Sequence, residues 1–299
     1  MANANTEPAP GLAPRPAAEE IADTLRKRIY DGELTSGARL PTQAALAREF
    51  DVERGTVRNA LQLLRSDGLL TNTGKGSPPT VSRPERALLP GAQTARSILG
   101  PRLVAAFEAP HVYVDVASLT GETLVTALGE PLRKVYEGAL RPKSVRVRMV
   151  VPRLGEDVDY PAPAAGWGHD DKLDEAVRRR GRVQWTSQRM VLDKAFMGLR
   201  DLDIDASFEY RFVSGVPTRK VYLLNRQEVL VGHYVPARFE REIDDYEGAD
   251  TVELVDVAGF ETGMLAFGRA NGPDQAAFVD GEQAMFDGLW EHVARRRQT

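Results

Sequence analysis

The side chains that most often do chemistry are scarce in this 299-residue sequence. It contains no cysteine and only four histidines, and the histidines show no HExxH-type clustering. A cysteine nucleophile, a cysteine-ligated zinc ion and a disulfide framework are therefore excluded, and a metal site is not expected. We accordingly predict no catalytic residue, no metal and no cofactor. Arginine is the residue that offers binding chemistry.

The first informative arginines lie in a periodic stretch near the N-terminus. Val57, Leu61 and Leu64 have the spacing of one buried helix face, which leaves polar side chains on the opposite face. An arginine near the start of such a helix can donate two hydrogen bonds to guanine O6 and N7. Small hydroxyl residues and the amides of a helix N-terminus fit phosphate oxygens. The pattern therefore predicts a helix that reads double-stranded DNA.

Three helices and a hairpin are predicted to position this face. The first helix covers 18–30, and Thr42 is a predicted N-cap for the second. The helix with the basic face is the third. Two short strands over 68–71 and 79–82 would flank a wing tip at 73–76, where glycines on both sides of a lysine let a narrow wing approach a backbone.

The segment from Ile21 to Val81 resembles the winged helix-turn-helix of the GntR family of bacterial transcription regulators. The marks are a first helix ending in DG, an LP before the second helix, a TVRNAL block and a DGLL before a Gly-Lys-Gly wing. The resemblance implies a dimer whose third helices enter the major groove of DNA. Carried over by position, phosphate and base-edge contacts fall on Arg54, Thr56 and Arg58, and minor-groove contacts on Lys75 and Gly76. The full predicted DNA-binding set is Thr42, Arg54, Gly55, Thr56, Arg58, Asn59, Lys75 and Gly76.

Three positions depart from the family's pattern. Ala44 stands where an arginine is frequent, Glu53 where a serine or threonine is frequent, and Gly55 where a threonine is common. A carboxylate near a phosphate is unfavourable unless it caps the helix or reads a cytosine amine. These departures affect the expected operator sequence rather than DNA binding itself.

A second motif spacing occurs in TRKVYLLN followed by GHYV. It resembles the phospholipase D signature, His-x-Lys-x4-Asp-x6-Gly-Ser-x-Asn, in which only Lys220 and Gly232 match. Thr218, Asn225 and His233 replace the histidine, the aspartate and the serine. Threonine has no low pKa and no base is evident beside it, so phosphodiester transfer is predicted to be lost. The resemblance implies a ligand-sensing domain that pairs its single motif across a symmetric dimer.

Several arginines are candidates for the same ligand site. Arg146 and Arg148 alternate on one predicted strand, so they share a face. Guanidinium groups near a lysine suit a phosphorylated or otherwise anionic effector. The alternatives are surface ion pairs for the arginines and, for Lys220, a strand edge in a β-meander. The predicted effector-binding set is Arg146, Arg148, Arg189, Arg211, Thr218, Lys220, Asn225 and His233.

The chain is predicted to contain four stretches. They are a disordered tail at 1–16, a winged helix-turn-helix at 17–83, a linker at 84–100 and a dimerising, effector-sensing domain at 101–299. In the last domain, strands are predicted at 111–119, 144–154, 252–260 and in a meander within 207–235. Helices are predicted at 121–139, 171–180, 188–199 and the C-terminus. Interleaved strands and helices indicate an α/β layer fold. The predicted fold class is thus α/β multidomain, with the winged helix-turn-helix followed by a larger α/β, phospholipase D-like domain.

The tryptophans and one run of arginines complete the predictions for this domain. Trp167 lies in a Pro/Gly-rich loop over 152–170 and is expected to cover a pocket. Trp185 and Trp290 are expected in the core. VRRRGR at 177–182 is interpreted as a solvated helix end rather than a second DNA-binding patch.

Charge and targeting signals are compatible with a DNA-binding regulator. The net charge is −4, so any DNA-binding surface must be a local basic face. No apolar run is long enough to span a membrane and the N-terminus does not resemble a signal peptide, so a cytoplasmic location is expected. The predicted partners are an inverted-repeat DNA operator, a small effector and a second copy of the chain. The predicted function is a repressor. The alternatives are a phosphodiesterase or nuclease that uses His233, and a nucleoid or plasmid-partition protein without an effector.

Overall fold

A computed structural model of the chain describes residues 18–30, 33–34, 38–66, 69–71, 79–81, 92–153, 157–243, 246–248 and 251–296. The chain separates into two compact units, Met1–Arg86 and Ala87–Thr299. Each unit has a hydrophobic core of its own.

The first unit consists of three helices and a two-stranded hairpin. The elements are α1 (Ala18–Tyr30), α2 (Gln43–Glu49), α3 (Arg54–Ser66), β1 (Leu70–Thr71) and β2 (Thr80–Val81). β1 and β2 are antiparallel, and Arg39 forms a further antiparallel bridge with Thr80. This confirms the predicted three helices and hairpin. Lys75 and Gly76, at the predicted wing tip, lie outside the described residues.

The core of the first unit joins one apolar face from each helix. α1 contributes Ile21, Leu25 and Ile29, and α2 contributes Leu46. The buried positions of α3 are those that its spacing predicts, namely Val57, Leu61 and Leu64. Because these side chains fix the rotation of α3, its polar residues must face away from the core.

A seven-stranded mixed sheet forms the centre of the second unit. Its strand order is β3-β12-β9-β8-β4-β5-β7, in which β4, β5 and β7 are parallel and the other neighbours antiparallel. The strands are β3 (Gln93–Thr94), β4 (His111–Ala117), β5 (Ser144–Pro152), β7 (Asp205–Val213), β8 (Arg219–Leu224), β9 (Glu228–His233) and β12 (Gly263–Gly268). A separate sheet of order β10-β11-β6 contains β6 (Ala162–Pro163), β10 (Ala237–Arg241) and β11 (Val252–Asp256).

Helices cover both faces of the central sheet. They are α4 (Ala95–Ala106), α5 (Glu122–Ala127), α6 (Gly129–Tyr136), α7 (Asp171–Arg200) and α8 (Pro273–Gly288), with a 3-10 turn at Arg269–Asn271 before α8 and a π-turn at Leu289–Val293 after it. Apolar residues of α4 to α7 share a core with one set of alternate strand residues. α8 and Trp290 share a second core with the other set. The second unit is therefore the mixed α/β layer structure that the sequence predicts.

Helix boundaries differ from the prediction in two places. The helices predicted at 171–180 and 188–199 are one 30-residue helix, α7, because Gly181 adopts helical structure and the contacts of Val177 and Trp185 hold the helix on both sides of it. The arginine run at 177–182 is accordingly the middle of a helix and not its end. The helix predicted over 121–139 is divided into α5 and α6.

Strand pairing and the linker also differ from the prediction. β7 lies at the sheet edge beside β5, so the segment 207–235 is not a continuous meander and only β8 and β9 form a hairpin. Residues 93–100, part of the predicted linker at 84–100, form β3 and the first half of α4. The strands β6, β10 and β12 were not predicted.

Candidate nucleic-acid interface

The turn between α2 and α3 sets the direction of the candidate recognition helix. The hydroxyl Oγ1 of Thr42 accepts a hydrogen bond from the amide of Ala45 at 3.2 Å and so caps α2, as its residue type predicts. Asp51 has a φ of +51°, which a short polar side chain tolerates in a tight turn. The carbonyl of Glu53 then accepts the amide of Thr56 at 3.0 Å, which starts α3.

The exposed face of α3 is basic. Arg54, Gly55, Arg58 and Asn59 are exposed and Thr56 is half-buried. α3 contains no acidic residue, and within the described part of the chain no carboxylate pairs with Arg54 or Arg58. Among the described residues, no carboxylate therefore competes with a ligand for their N–H donors.

Gly55 has no packing reason to be glycine. A Cβ atom built at this position would have nothing within 4 Å. A glycine on an exposed helix surface costs about 1 kcal/mol relative to alanine. The folded unit therefore tolerates a destabilising residue at the N-terminal end of the face that carries Arg54 and Arg58.

The structure does not bring the predicted effector residues into one site. Arg148 and Arg211 face α8, where Arg148 binds Asp115 and Asp287 and Arg211 donates to the carbonyl of Trp290. Lys220 lies on the opposite face of the sheet, which packs against α4 to α7. Tyr222, two residues further along β8 and so on the same face, belongs to that core. The remaining arginines lie in exposed ion pairs, Arg146 with Asp205 and Arg189 with Asp193.

Lys220 is a core residue rather than a strand-edge residue. It is 2% exposed, and its ammonium group donates to Thr123 Oγ1 at 2.6 Å and to the Gly259 carbonyl at 2.7 Å. Burial lowers the pKa of Lys220 to about 7, although the charges of Glu122 and Glu261 act in the opposite direction. A ligand would have to displace these protein contacts to reach the amine.

The other members of the phospholipase D-like spacing lie at opposite ends of the β8–β9 hairpin. Thr218 and His233 are exposed at its open end. Asn225 is in the turn, where its side chain accepts from the amide of Tyr113 and donates to the carbonyl of Ala106. A six-residue strand of about 20 Å separates the two ends, so Asn225 cannot share a small-molecule site with Thr218.

A cleft elsewhere in the second unit is lined by residues that no sequence pattern groups together. It is formed by the segments that follow β4 and β5 and by the first half of α7, and Trp167 lines it, as expected from its loop position. Trp185 lines it as well and is buried, as predicted for a core residue. The sequence shows aromatic and basic residues in each of these segments. Only the fold shows that the segments face each other and form one cleft.

The arrangement of the first unit, three helices followed by a hairpin with an exposed basic third helix, is that of a winged helix-turn-helix. Residues 17–77 match the family described as "Bacterial regulatory proteins, gntR family". The first unit is thus a GntR-type helix-turn-helix, as the sequence predicts. No helix in the described part of the chain is both long enough and apolar enough to cross a membrane.

Similar proteins extend this comparison. The mannosyl-D-glycerate transport/metabolism system repressor MngR of Escherichia coli is 45% identical over 64 residues, which are 21% of this chain and 27% of that protein. The HTH-type transcriptional repressor PhnF of Mycolicibacterium smegmatis is 26% identical over 198 residues, covering 64% of this chain and 77% of the other. TrmBL2, an archaeal chromatin protein, overlaps 93% of this chain and 98% of its own at a TM-score of 0.30 and 12% identity, which is too low to support an argument.

These matches differ in how much of each relative they cover. The chain spans 13%, 27% and 55% of three of the curated relatives that it matches. The match shared with the helix-turn-helix family is confined to the first unit, since it ends at residue 77. The match to PhnF, over 198 residues, is longer than the first unit and therefore extends into the second.

Proposed function

We propose that this protein is a sequence-specific DNA-binding transcription regulator that acts as a repressor. The observation that carries the proposal is the exposed basic face of α3 in a GntR-type unit, where Arg54 and Arg58 have no carboxylate partner among the described residues. Guanidinium groups on a helix of this kind match guanine edges and phosphates. The relatives MngR and PhnF are both named as repressors, which supports the direction of regulation.

Each predicted DNA contact has a role in this proposal. Arg54 and Arg58 read base edges, and Thr56 and Asn59 bind phosphate or base groups beside them. Gly55 lets the DNA backbone approach the helix closely, which would explain a glycine that the unit itself does not require. Thr42, which caps α2, contacts a phosphate beside that cap. Lys75 and Gly76 of the wing contact the adjacent minor groove.

The protein is proposed to act as a homodimer on an inverted repeat. Helix α7 carries large apolar side chains at seven-residue intervals, Val183, Met190 and Met197, which are 59%, 54% and 57% exposed. We name these three residues the α7 stripe. A two-fold axis would bury this stripe against its copy, and a two-fold dimer matches two symmetric half-sites.

The second unit is proposed to bind a small effector that changes operator affinity. An effector has this effect only if it favours the chain arrangement that does not bind DNA. The phospholipase D-like spacing is proposed to have a structural part in this unit. A Cβ atom at Gly232 would lie 2.4 Å from the carbonyl oxygen of Gly263, so this glycine allows β9 and β12 to pair.

Selection of genomic DNA fragments by the purified full chain tests the proposal. The selected fragments are then footprinted in the presence of excess nonspecific competitor DNA. We expect protection of an inverted repeat whose half-sites are about one helical turn apart, or a multiple of it. Recovery of fragments with no shared sequence, together with uniform protection, would refute a sequence-specific regulator. The double variant Arg54→Ala, Arg58→Ala is the matched control, which should recover no consensus.

A further inference from the structure

An open cleft lies in the second unit, at the edge where parallel strands end. Leu119 and Thr120 follow β4, and Pro152 and Arg153 are at and beyond the end of β5. In open α/β sheets, ligands bind outside the carboxyl ends of the strands. The position in the fold is therefore one where a small molecule is expected.

Two tryptophans form fixed walls of the cleft. The indole N–H of Trp167 donates to the carbonyl of Val158 at 2.9 Å, and the guanidinium of Arg178 lies 5.0 Å from its ring centre. Trp185 packs edge-on against Tyr210 at 5.2 Å. Because protein contacts already hold both rings, binding of a flat ligand would cost little side-chain entropy.

The charged side chains that line the cleft are arginines. Arg153, Arg178 and Arg182 line it, and none of the described lining residues is an aspartate or glutamate. The carboxylates that hold two of these arginines, Asp157 at 2.7 Å and Glu175 at 2.5 Å, are not part of the lining. Each guanidinium has five N–H donors, so a carboxylate partner leaves others for a ligand anion.

The rest of the lining is mostly apolar, which limits the kind of ligand. A hydroxyl-rich molecule would lose hydrogen bonds with water against these walls without replacement. A flat hydrocarbon body would instead gain from burial against these apolar side chains and the indole rings. The apolar lining residues are Leu119, Val151, Pro152, Val158, Pro161 and Val177.

We propose that this cleft binds a flat aromatic carboxylate, with the ring against Trp167 and Trp185 and the carboxylate on Arg178 and Arg182. The site is distinct from the region around Lys220. Resting on the proposed regulatory function, we assign to it the effector of that function. Gln188 connects the cleft to the backbone, since its side-chain oxygen accepts the amide of Gly121 at 2.8 Å before α5.

Titration of the full chain with 2-naphthoate tests the site, by calorimetry and by tryptophan fluorescence. We expect saturable binding of one molecule per chain and at least tenfold weaker binding of the uncharged 2-naphthylmethanol. Arg182→Gln should raise the Kd for 2-naphthoate roughly tenfold, as for loss of one charge-assisted hydrogen bond. Trp167→Ala should weaken both compounds. Arg189→Gln, on the same helix but outside the cleft, is the matched control and should leave both affinities unchanged.

Several results would overturn the proposal. These are the absence of saturable binding, equal affinity for the charged and uncharged compounds, and an unchanged Kd in Arg182→Gln. Gel shifts on the selected operator, with and without 2-naphthoate, separate this inference from the regulatory function. Binding that leaves operator affinity unchanged supports the cleft as a site and refutes its effector role. Loss of operator recognition with intact 2-naphthoate binding refutes only the DNA-binding proposal.

Discussion

Some arginine side chains of this protein stabilise the fold, whereas others, such as Arg54 and Arg58, are exposed on a helix surface. Arg148 belongs to the first group. Arg148 donates to Asp115 at 2.7 and 2.6 Å and to Asp287 at 2.6 Å, and it lies over the rings of Phe286 and Trp290. Burial alone would lower the pKa of Arg148, but the hydrogen bonds and charges of the two carboxylates outweigh burial and raise it. Such an arginine stabilises the fold and is not available to a ligand.

The contribution of Arg148 to stability can be measured by removing its carboxylate partner Asp115. Asp115→Ala should destabilise the protein by about 3 kcal/mol, because the partly buried guanidinium loses its two-point partner. Denaturant unfolding gives this free energy. The control is the exposed ion pair between Asp205 and Arg146, which lies two residues before Arg148 on β5. Arg146→Ala should change stability by no more than about 0.5 kcal/mol, and a cost equal to that of Asp115→Ala would contradict the distinction.

Lys220 makes stability depend on pH. In the unfolded chain its amine has a pKa near 10.4, about the reference value, whereas burial lowers the pKa to about 7 in the folded protein. Between these values the unfolded state binds more protons, so raising the pH stabilises the fold by at most about 1.4 kcal/mol per pH unit.

Unfolding free energies of the wild type and Lys220→Met at pH 7, 8 and 9 test this coupling. The wild type should gain stability relative to the variant as pH rises. A constant difference across this range would show that Lys220 is not deprotonated in the folded protein.

Among the helices and strands, α7 shows how tertiary contacts outweigh the tendency of one residue, Gly181, to interrupt a helix. Gly181 breaks the helical pattern of the sequence, but a Cβ atom there would have nothing within 4 Å and the helix continues through it. Asp170 begins the helix by accepting the amides of Lys172 and Leu173. These hydrogen bonds lower the pKa of Asp170, as does the hydroxyl of Tyr246.

A substitution at Gly181 measures how much stability the protein loses by having a glycine inside α7. Gly181→Ala should stabilise the protein by about 0.4–1 kcal/mol, because alanine reduces the freedom of the unfolded chain and fits the open space. Gly232→Ala should instead destabilise it by about 1–3 kcal/mol, since the backbone of Gly263 cannot move aside. Thermal unfolding of both variants decides the matter, and a destabilised Gly181→Ala would indicate a strained helix.

The sequence predicts elements best where the signals are local. The first unit follows from helix spacing, the Thr42 cap and its motifs, all within about sixty residues of chain. The sheet of the second unit depends on pairings between distant segments, such as β7 with β5, which no local pattern specifies. The same holds for the candidate ligand cleft, because Leu119, Pro152 and Trp185 become neighbours only through the fold.

Recognition of an inverted repeat requires two copies of the chain. The charge of −4 does not favour nonspecific attachment to DNA, so affinity must come from local basic faces, and two of them bind better than one. The α7 stripe of Val183, Met190 and Met197 is the proposed contact between copies.

Met190→Glu should convert the dimer to a monomer, because it would place a carboxylate in the middle of a buried apolar contact. Sedimentation velocity at micromolar concentration measures the change. Met285→Glu on α8 is the matched control, since Met285 is similarly exposed at 53% but is outside the stripe. A Met190→Glu protein that sediments like the wild type would exclude this surface as the dimer contact.

If α3 reads DNA sequence, Arg58→Ala must weaken binding to the operator more than binding to unrelated DNA. Fluorescence anisotropy would compare the selected operator with a shuffled duplex of equal length, at two salt concentrations. Arg141→Ala, an exposed arginine of the second unit, controls for the loss of one charge. We predict that Arg58→Ala weakens operator binding by about 1–3 kcal/mol while binding of the shuffled duplex changes much less. Unchanged operator affinity in Arg58→Ala, or an equal loss in Arg141→Ala, would contradict the account.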